Sequence, residues 1–160
     1  MSFAAAAAAQ SGGEVFWIRE AWRSERLNPV GLSEFIDPSK LLIAQVKDQL
    51  EGLAVMEEVL RDGGVSIAIT DLSEAIGLTE GRRLQLAAKA GKTIGLCRIS
   101  EGMGSNAAET RWRCAPVLDM DDSTLQRWEL IKNKSGTLRA WNVRWNAAAR
   151  RVHVAASVTE

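Results

Sequence analysis

The chain opens on alanine at positions 4 to 9, the residue of highest helix propensity, which predicts a short helix that "SGG" ends. "EVFWIRE" follows, β-branched and aromatic, and reads as a strand. A polar, proline-containing connection with a short helix at "GLSEF" leads into "DPSKLLIAQV", where Leu41 to Val46 predicts a second buried strand. From Lys47 the apolar residues Leu50, Leu53, Ala54, Met56, Val59 and Leu60 recur at helical spacing until "RDGG" stops the helix. Val65 to Thr70 is a third strand, with Asp71 where its apolar run stops. "LTEGRRLQLAAKAG" predicts another helix, with Leu78, Leu84, Leu86, Ala87 and Ala88 as its stripe, Thr79 as N-cap and Gly91 as C-cap. "TIGLCRI" is a fourth apolar strand, and the glycine-dotted "GLCRISEGMGSN" runs on into a mobile loop.

Strands and helices alternating this way, with strands apolar on both faces, imply a parallel sheet covered by helices on both sides. Beyond residue 100 the period changes. "TRWRCAPV", "QRWELIKN", "AWNVRWN" and "RRVHVAAS" alternate polar with apolar between turn residues, as antiparallel hairpins do. The expected fold is α/β: one domain over residues 1–160, parallel over 1–100 and antiparallel over 101–160, with a single sheet running from one part into the other. A chain of 160 residues buries roughly 70% of its unfolded surface and needs no disulfide or metal to do so.

Charge sharpens this picture. Twenty Lys and Arg balance twenty Asp and Glu, so no global basic field drives non-specific binding to DNA or an acidic membrane. The balance is uneven: from Arg111 to Arg151 nine Lys and Arg face four acids, an excess of five. Arg111, Arg113, Lys132, Lys134, Arg139 and Arg144 are the candidates for a partner or weak DNA-contacting surface. Trp141, Val143 and Trp145 share one strand face, with Trp112 and Trp128 at similar alternating positions. Tryptophan interleaved with arginine suits a stacking platform for single strands, but packing into the sheet core is the reading its large apolar surface favours. Cys97 and Cys114 belong to no CxxC or Cys/His cluster and read as buried, reduced thiols of a cytoplasmic protein; the single His153 has no ligand-spaced companion. No apolar run approaches the roughly 18 residues of a membrane span.

Asp71 raises the one catalytic question. A carboxylate at the carboxyl end of a buried strand holds nucleotide-bound magnesium in many α/β proteins, but it needs a glycine-rich phosphate loop beside it. The only G-K-T is Gly91-Lys92-Thr93; Leu86 stands where the motif needs its first glycine, and the segment runs from helix into strand instead of strand into helix. Asp71 alone is a weak magnesium site, so no cofactor, metal or catalytic residue is expected.

"GGVSIAITDLSEAIGLTEGRRLQLAAKAGKTIGLCRI", "SNAAETRWRCAP" and "RWELIKNKSGTLRAWNVRW" resemble the ImuA family of RecA-like inducible mutagenesis proteins, with "RRLQLAAKAG", "ETRWRCAP" and "WNVRW" the most diagnostic stretches. A more distant similarity is to RecA itself, where a strand ending in aspartate matches "IAITD" and a K-N-K triplet matches Lys132-Asn133-Lys134. The resemblance implies a RecA-like three-layer sandwich lacking its phosphate loop, with Asp71, Lys132 and Lys134 as vestigial nucleotide-binding positions. Glu20 approximates the glutamate after the first strand, and Cys97-Arg98 replaces the glutamine sensor of the fourth. The implied role is a non-catalytic part in SOS mutagenesis and translesion synthesis, beside RecA, an ImuB-like polymerase-fold protein and an error-prone DnaE-type polymerase. Two alternatives remain open. One is a division inhibitor resembling SulA, which binds FtsZ, although the hairpins from Arg127 to Val154 exceed what that architecture needs. The other is a hydrolase completed in trans, with Asp71, Lys132 and Lys134 supplied to a neighbouring RecA subunit.

Overall fold

The computed structural model describes residues 3–104, 107–120, 122 and 124–158. Ser105 and Asn106, which belong both to the expected loop and to the ImuA-like stretch, and Asp121 of the acidic tally lie outside them. The first half is a parallel sheet of β1 (Val15–Glu20), β2 (Leu41–Val46), β3 (Ile67–Asp71) and β4 (Ile94–Arg98), in the order β2-β1-β3-β4. Its helices are α1 (Phe3–Ser11), α2 (Pro29–Ser33), α3 (Gln49–Asp62) and α4 (Leu78–Gly91).

Helices cover both faces, as the sequence implied. Val15, Trp17, Ile67 and Ile69 pack towards α1 and α2, whereas Ile18, Ala68 and Val46 pack towards Met56 and Leu60 of α3 and Leu84 and Ala87 of α4. The period-2 alternation of each strand thus feeds two separate cores. Asp48 caps α3 by accepting from the Glu51 N–H at 2.9 Å, while the Glu51 carboxylate reaches one residue beyond the cap to accept from the Lys47 N–H at 2.8 Å. Gly63, at φ 77°, closes α3 in the left-handed conformation glycine adopts freely. Gly91 ends α4 against α3: a Cβ there would lie 1.9 Å from the Leu60 carbonyl oxygen.

Several expectations change. β2 is not buried, because it is the outer strand of its sheet: Leu42 and Ile43 are about half exposed, and only Val46 is buried. Leu50, Leu78 and Leu86 leave the buried stripes and face solvent; Gly52 and Gly81 take part in the buried faces, where small residues let helix and sheet approach. The cap of α4 is Gly77, with no side-chain hydrogen bond; Thr79 lies one residue inside the helix, and Lys92, at φ 56°, is the left-handed residue beyond Gly91.

The largest correction concerns the sheet. β5 (Thr110–Pro116), β6 (Gln126–Asn133), β7 (Arg139–Asn146) and β8 (Arg151–Val158) form a separate antiparallel sheet in simple meander order. β4 therefore ends the parallel sheet instead of pairing with β5. The reason lies in α1, which packs against both β3 and β8. Its alanines are buried at positions 4, 5, 6 and 8, so the helix is apolar all round and serves as a thin spacer between the sheets. Phe3 adds the aromatic contact, its ring 5.5 Å from that of Trp112 and 4.7 Å from that of Trp128. On the far side Phe35 meets Trp145 at 4.5 Å. The tryptophans of the second sheet thus pack inward against the first half and against each other, Trp112 lying 5.7 Å from Trp141.

Candidate functional site

Parallel strands bring their carboxyl ends to one side of a sheet, which is where open α/β sheets bind ligands. β1 ends there in Glu20, β3 in Asp71 and β4 in Arg98. Asp71 and Arg98 are partners in the β3–β4 register, which sets the guanidinium beside the carboxylate: Arg98 Nη1 lies 3.0 Å from Asp71 Oδ1. Oδ1 is buried and receives no aligned hydrogen bond, so the contact is an ion pair held by charge and register. Arg98 Cζ also sits over the Trp17 ring, 5.9 Å from its centroid, a cation–π contact. Glu20 is nearly fully buried and accepts from Arg23 Nε at 3.3 Å and Ser73 Oγ at 3.2 Å.

Both carboxylates of this edge are thus held by the chain's own groups. A magnesium ion at Asp71 would have to displace Arg98, and among the described residues no three His, Cys, Asp or Glu side chains gather to hold a metal. The donor set does not fit the magnesium site that the position of Asp71 suggests. Arg98 is the residue that sequence reasoning passed over. Only the pairing of β3 with β4 in register makes it the partner of Asp71, and Cys97-Arg98 registered in the sequence merely as a departure from a sensor glutamine.

The basic candidates separate into two groups. Arg111 of β5 stands opposite Lys132 of β6, with Lys134 two residues on. Burial, Lys134 and Arg111, in that order, hold the Lys132 ammonium below its ordinary pKa. Lys134 is turned inward: its Nζ donates to the Ala107 carbonyl at 2.6 Å and lies 3.6 Å from Glu109. Arg113 and Arg144 are held by carboxylates. Arg113 bridges Glu101 at 2.8 Å and Glu129 at 3.3 Å, and Arg144 lies 3.3 Å from Asp122. Arg139 is an exposed residue at the start of β7. Asp71 ends a strand of the parallel sheet, whereas five of the six basic candidates stand on strands of the antiparallel one and Lys134 follows directly on β6.

Between the two sheets lies an elongated cleft of about 1070 Å³, walled by α4 and β4 on one side and β5 on the other. Leu84, Ala88, Leu96 and Trp112 give it an apolar lining, and Phe3 and Ala4 of α1 reach it. Gln85 of α4 donates to Glu109, tying the walls together at one end. Cys97 and Cys114 also line it. Burial pushes the Cys97 thiol up to about 11, so it stays protonated at neutral pH and is a poor nucleophile. Cys114 does not conform to the buried reading: the residue is exposed along the open side of β5, although partial desolvation still raises its thiol.

Two of the three most diagnostic stretches border this cleft, "RRLQLAAKAG" on α4 and "ETRWRCAP" leading into and along β5. Protein ImuA from each of two strains of Caulobacter vibrioides is 30% identical to this chain over 165 residues, covering 90% of it. The chain is homologous to ImuA. It spans 65% of the length of those ImuA proteins. No family model matches it. Among solved structures, SulA from Pseudomonas aeruginosa is similar at a TM-score of 0.48 and 21% identity, over 57% of this chain and 75% of that one.

Proposed function

We propose that this chain is a non-catalytic accessory protein of damage-induced mutagenesis, acting in the bacterial cytoplasm during translesion DNA synthesis. Homology to ImuA over 90% of the chain is the observation that carries the reading. In this reading the chain descends from a RecA-like domain, works through contacts with RecA, an ImuB-like polymerase-fold protein and a DnaE-type polymerase, and binds no nucleotide. The Asp71–Arg98 pair supports the last point, because the carboxylate that would serve magnesium is neutralised in place. The cluster of Arg111, Lys132 and Lys134 supplies the local positive charge for a weak, salt-sensitive DNA contact or an acidic patch on a partner.

Deleting the gene is expected to lower damage-induced mutation frequency, and the purified chain is expected to retain RecA or the polymerase partners in pull-downs. An unchanged mutation frequency with no retention of any of the three overturns the proposal. Filamentous growth on overexpression, with inhibited FtsZ assembly in vitro, would replace it with the division-inhibitor reading.

A further inference from the structure

Among the described residues each sheet leaves one strand edge unpaired beside the cleft: β4 is the last strand of the parallel order and β5 the first of the antiparallel one. The phase of each ladder tells which backbone groups those edges present. Ile94 N–H donates to the Ser66 carbonyl, and the Arg98 carbonyl accepts from Leu72 N–H. In a parallel pair alternate residues bond to the same neighbour, so Ile94, Leu96 and Arg98 serve β3 while Gly95 and Cys97 aim N–H and C=O away from it. On β5, Val117 N–H donates to the Leu125 carbonyl. Stepping back by two along the same register, Ala115 and Arg113 exchange bonds with Arg127 and Glu129 of β6. Trp112, Cys114 and Pro116 therefore face the other way.

The residues so identified, Gly95 and Cys97 on one side and Trp112, Cys114 and Pro116 on the other, all line the one cleft. Two rows of backbone groups thus front a largely apolar space, each residue offering a donor and an acceptor except Pro116, which offers its carbonyl alone. Proline fits this phase, because Pro116 occupies a position where the ladder with β6 needs no N–H. The space is about one strand in size: roughly five residues at 3.3 Å each, 4.8 Å wide and 10 Å through the side chains, occupy on the order of 800 Å³, against about 1070 Å³ for the cleft. Its charged lining is Lys89, Arg98 and Arg111 against Glu109, an excess of basic groups.

We propose that this cleft receives an extended segment of a partner protein, apolar at alternate positions and carrying an acidic residue, as an added strand hydrogen-bonded to the open edges of β4 and β5. Strand addition gives affinity through the main chain and specificity through alternate side chains. Apolar side chains would meet Leu84, Leu96 and Trp112, and the carboxylate would meet the basic rim. The proposal does not rest on the mutagenesis reading and survives or falls separately from it.

The test is selection of a phage-displayed random heptapeptide library on the full chain, followed by binding measurements on the enriched peptide. The expected result is enrichment of sequences alternating Val, Ile, Leu or Phe with polar residues and including Asp or Glu. N-methylation of the synthetic peptide should weaken binding about tenfold at each amide of the seated segment, alternate amides through β4 and the intervening ones through β5, and leave the amides that flank it unaffected. Cys114→Pro removes one N–H aimed at the cleft without touching the β6 ladder and should weaken binding while circular dichroism and Tm are retained; if that variant does not fold, the N-methyl series still decides. Enrichment of no alternating sequence, or affinity indifferent to N-methylation, overturns the proposal. So does sedimentation showing a dimer that closes the cleft against peptide, which would make a second copy the occupant.

Discussion

The two halves of this molecule are stabilised in different ways. In the parallel half Trp17, Ile18, Met56, Leu60, Ile67 and Ile69 are almost wholly removed from water, because helices cover the sheet on both faces. In the antiparallel sheet only Leu130, Val143 and Trp145 reach comparable burial among the described strand residues, and much of the rest is half-buried or exposed. One face of that sheet packs through tryptophans on α1 and Phe35, and charged pairs such as Arg113–Glu129 and Arg127–Glu129 lie among its exposed and half-buried positions. The basic residues proposed for partner contact all stand on this less buried half. A rigid two-sided core carries a second layer whose outer side is left for charge.

The contrast predicts unequal sensitivity to cavities. Leu60→Ala empties a fully buried position between α3 and the sheet and should cost about 4 kcal/mol, near the upper part of the usual range for such truncations. Leu130→Ala, at a site that keeps some solvent contact, should cost about 2 kcal/mol. Denaturant midpoints measured on both variants check the order, and equal losses would mean that the two sheets share one core.

Whether they unfold together depends on α1. Ala6 has no exposed surface and sits in the helix packed against both sheets. Ala6→Leu should therefore wedge them apart at about 1–3 kcal/mol, the usual penalty for overpacking. The expected signature is a split between the fluorescence transition, weighted to the tryptophans of the second sheet, and the circular dichroism transition. A single coincident transition at unchanged stability would remove α1 from its role as spacer.

How much of this was readable beforehand follows the range of the interactions. The four parallel strands, the two long helices and the hairpin series came from local period, and Leu41–Val46 matches β2 residue for residue. What local period cannot convey is lateral position. "LLIAQV" is apolar enough for a central strand, yet β2 is an outer one, and nothing within the run says so. The break between β4 and β5 was invisible for the same reason: alternation predicts that a strand has a neighbour, not which one. At the site, Asp71 was legible as a strand-end carboxylate, whereas its pairing with Arg98, 27 positions on, needed the register of two strands. Lys134 shows the limit for charges, since its bond to the Ala107 carbonyl comes from the approach of two chain segments that share no pattern.

The caps give a smaller and more local comparison, both members of it in the parallel half. Asp48→Ala removes the oxygen that accepts the Glu51 N–H and should cost about 1 kcal/mol. Thr79→Ala should be neutral or slightly stabilising, because Thr79 lies inside α4, where alanine has the better propensity. Thermal unfolding of the two variants separates a working cap from one that only its position in the sequence suggested. A loss at Thr79 matching that at Asp48 would restore Thr79 as the cap of α4.

The smallest expected effect concerns the charges of the second sheet. The Glu129 carboxyl is held below its ordinary value of 4.5, first by the Arg127 hydrogen bond and then by Arg113, and that of Asp122 below 3.8, first by the Thr124 hydrogen bonds and then by Arg144. A carboxylate lowered in the folded state binds fewer protons there than in the unfolded chain, so its stabilisation is complete above the ordinary value and is lost as pH falls through the lowered one. Acidification from pH 6 to pH 3 should thus loosen β5, β6 and β7 before β1 and β3, whose contacts are chiefly apolar. Amide exchange, corrected for its intrinsic pH dependence, reads the difference strand by strand. Because these pairs are partly open to solvent, added salt at pH 6 should move the same amides in the same direction and by less. Equal loss of protection in both sheets on acidification would show that the charged pairs contribute nothing that distinguishes the second sheet from the first.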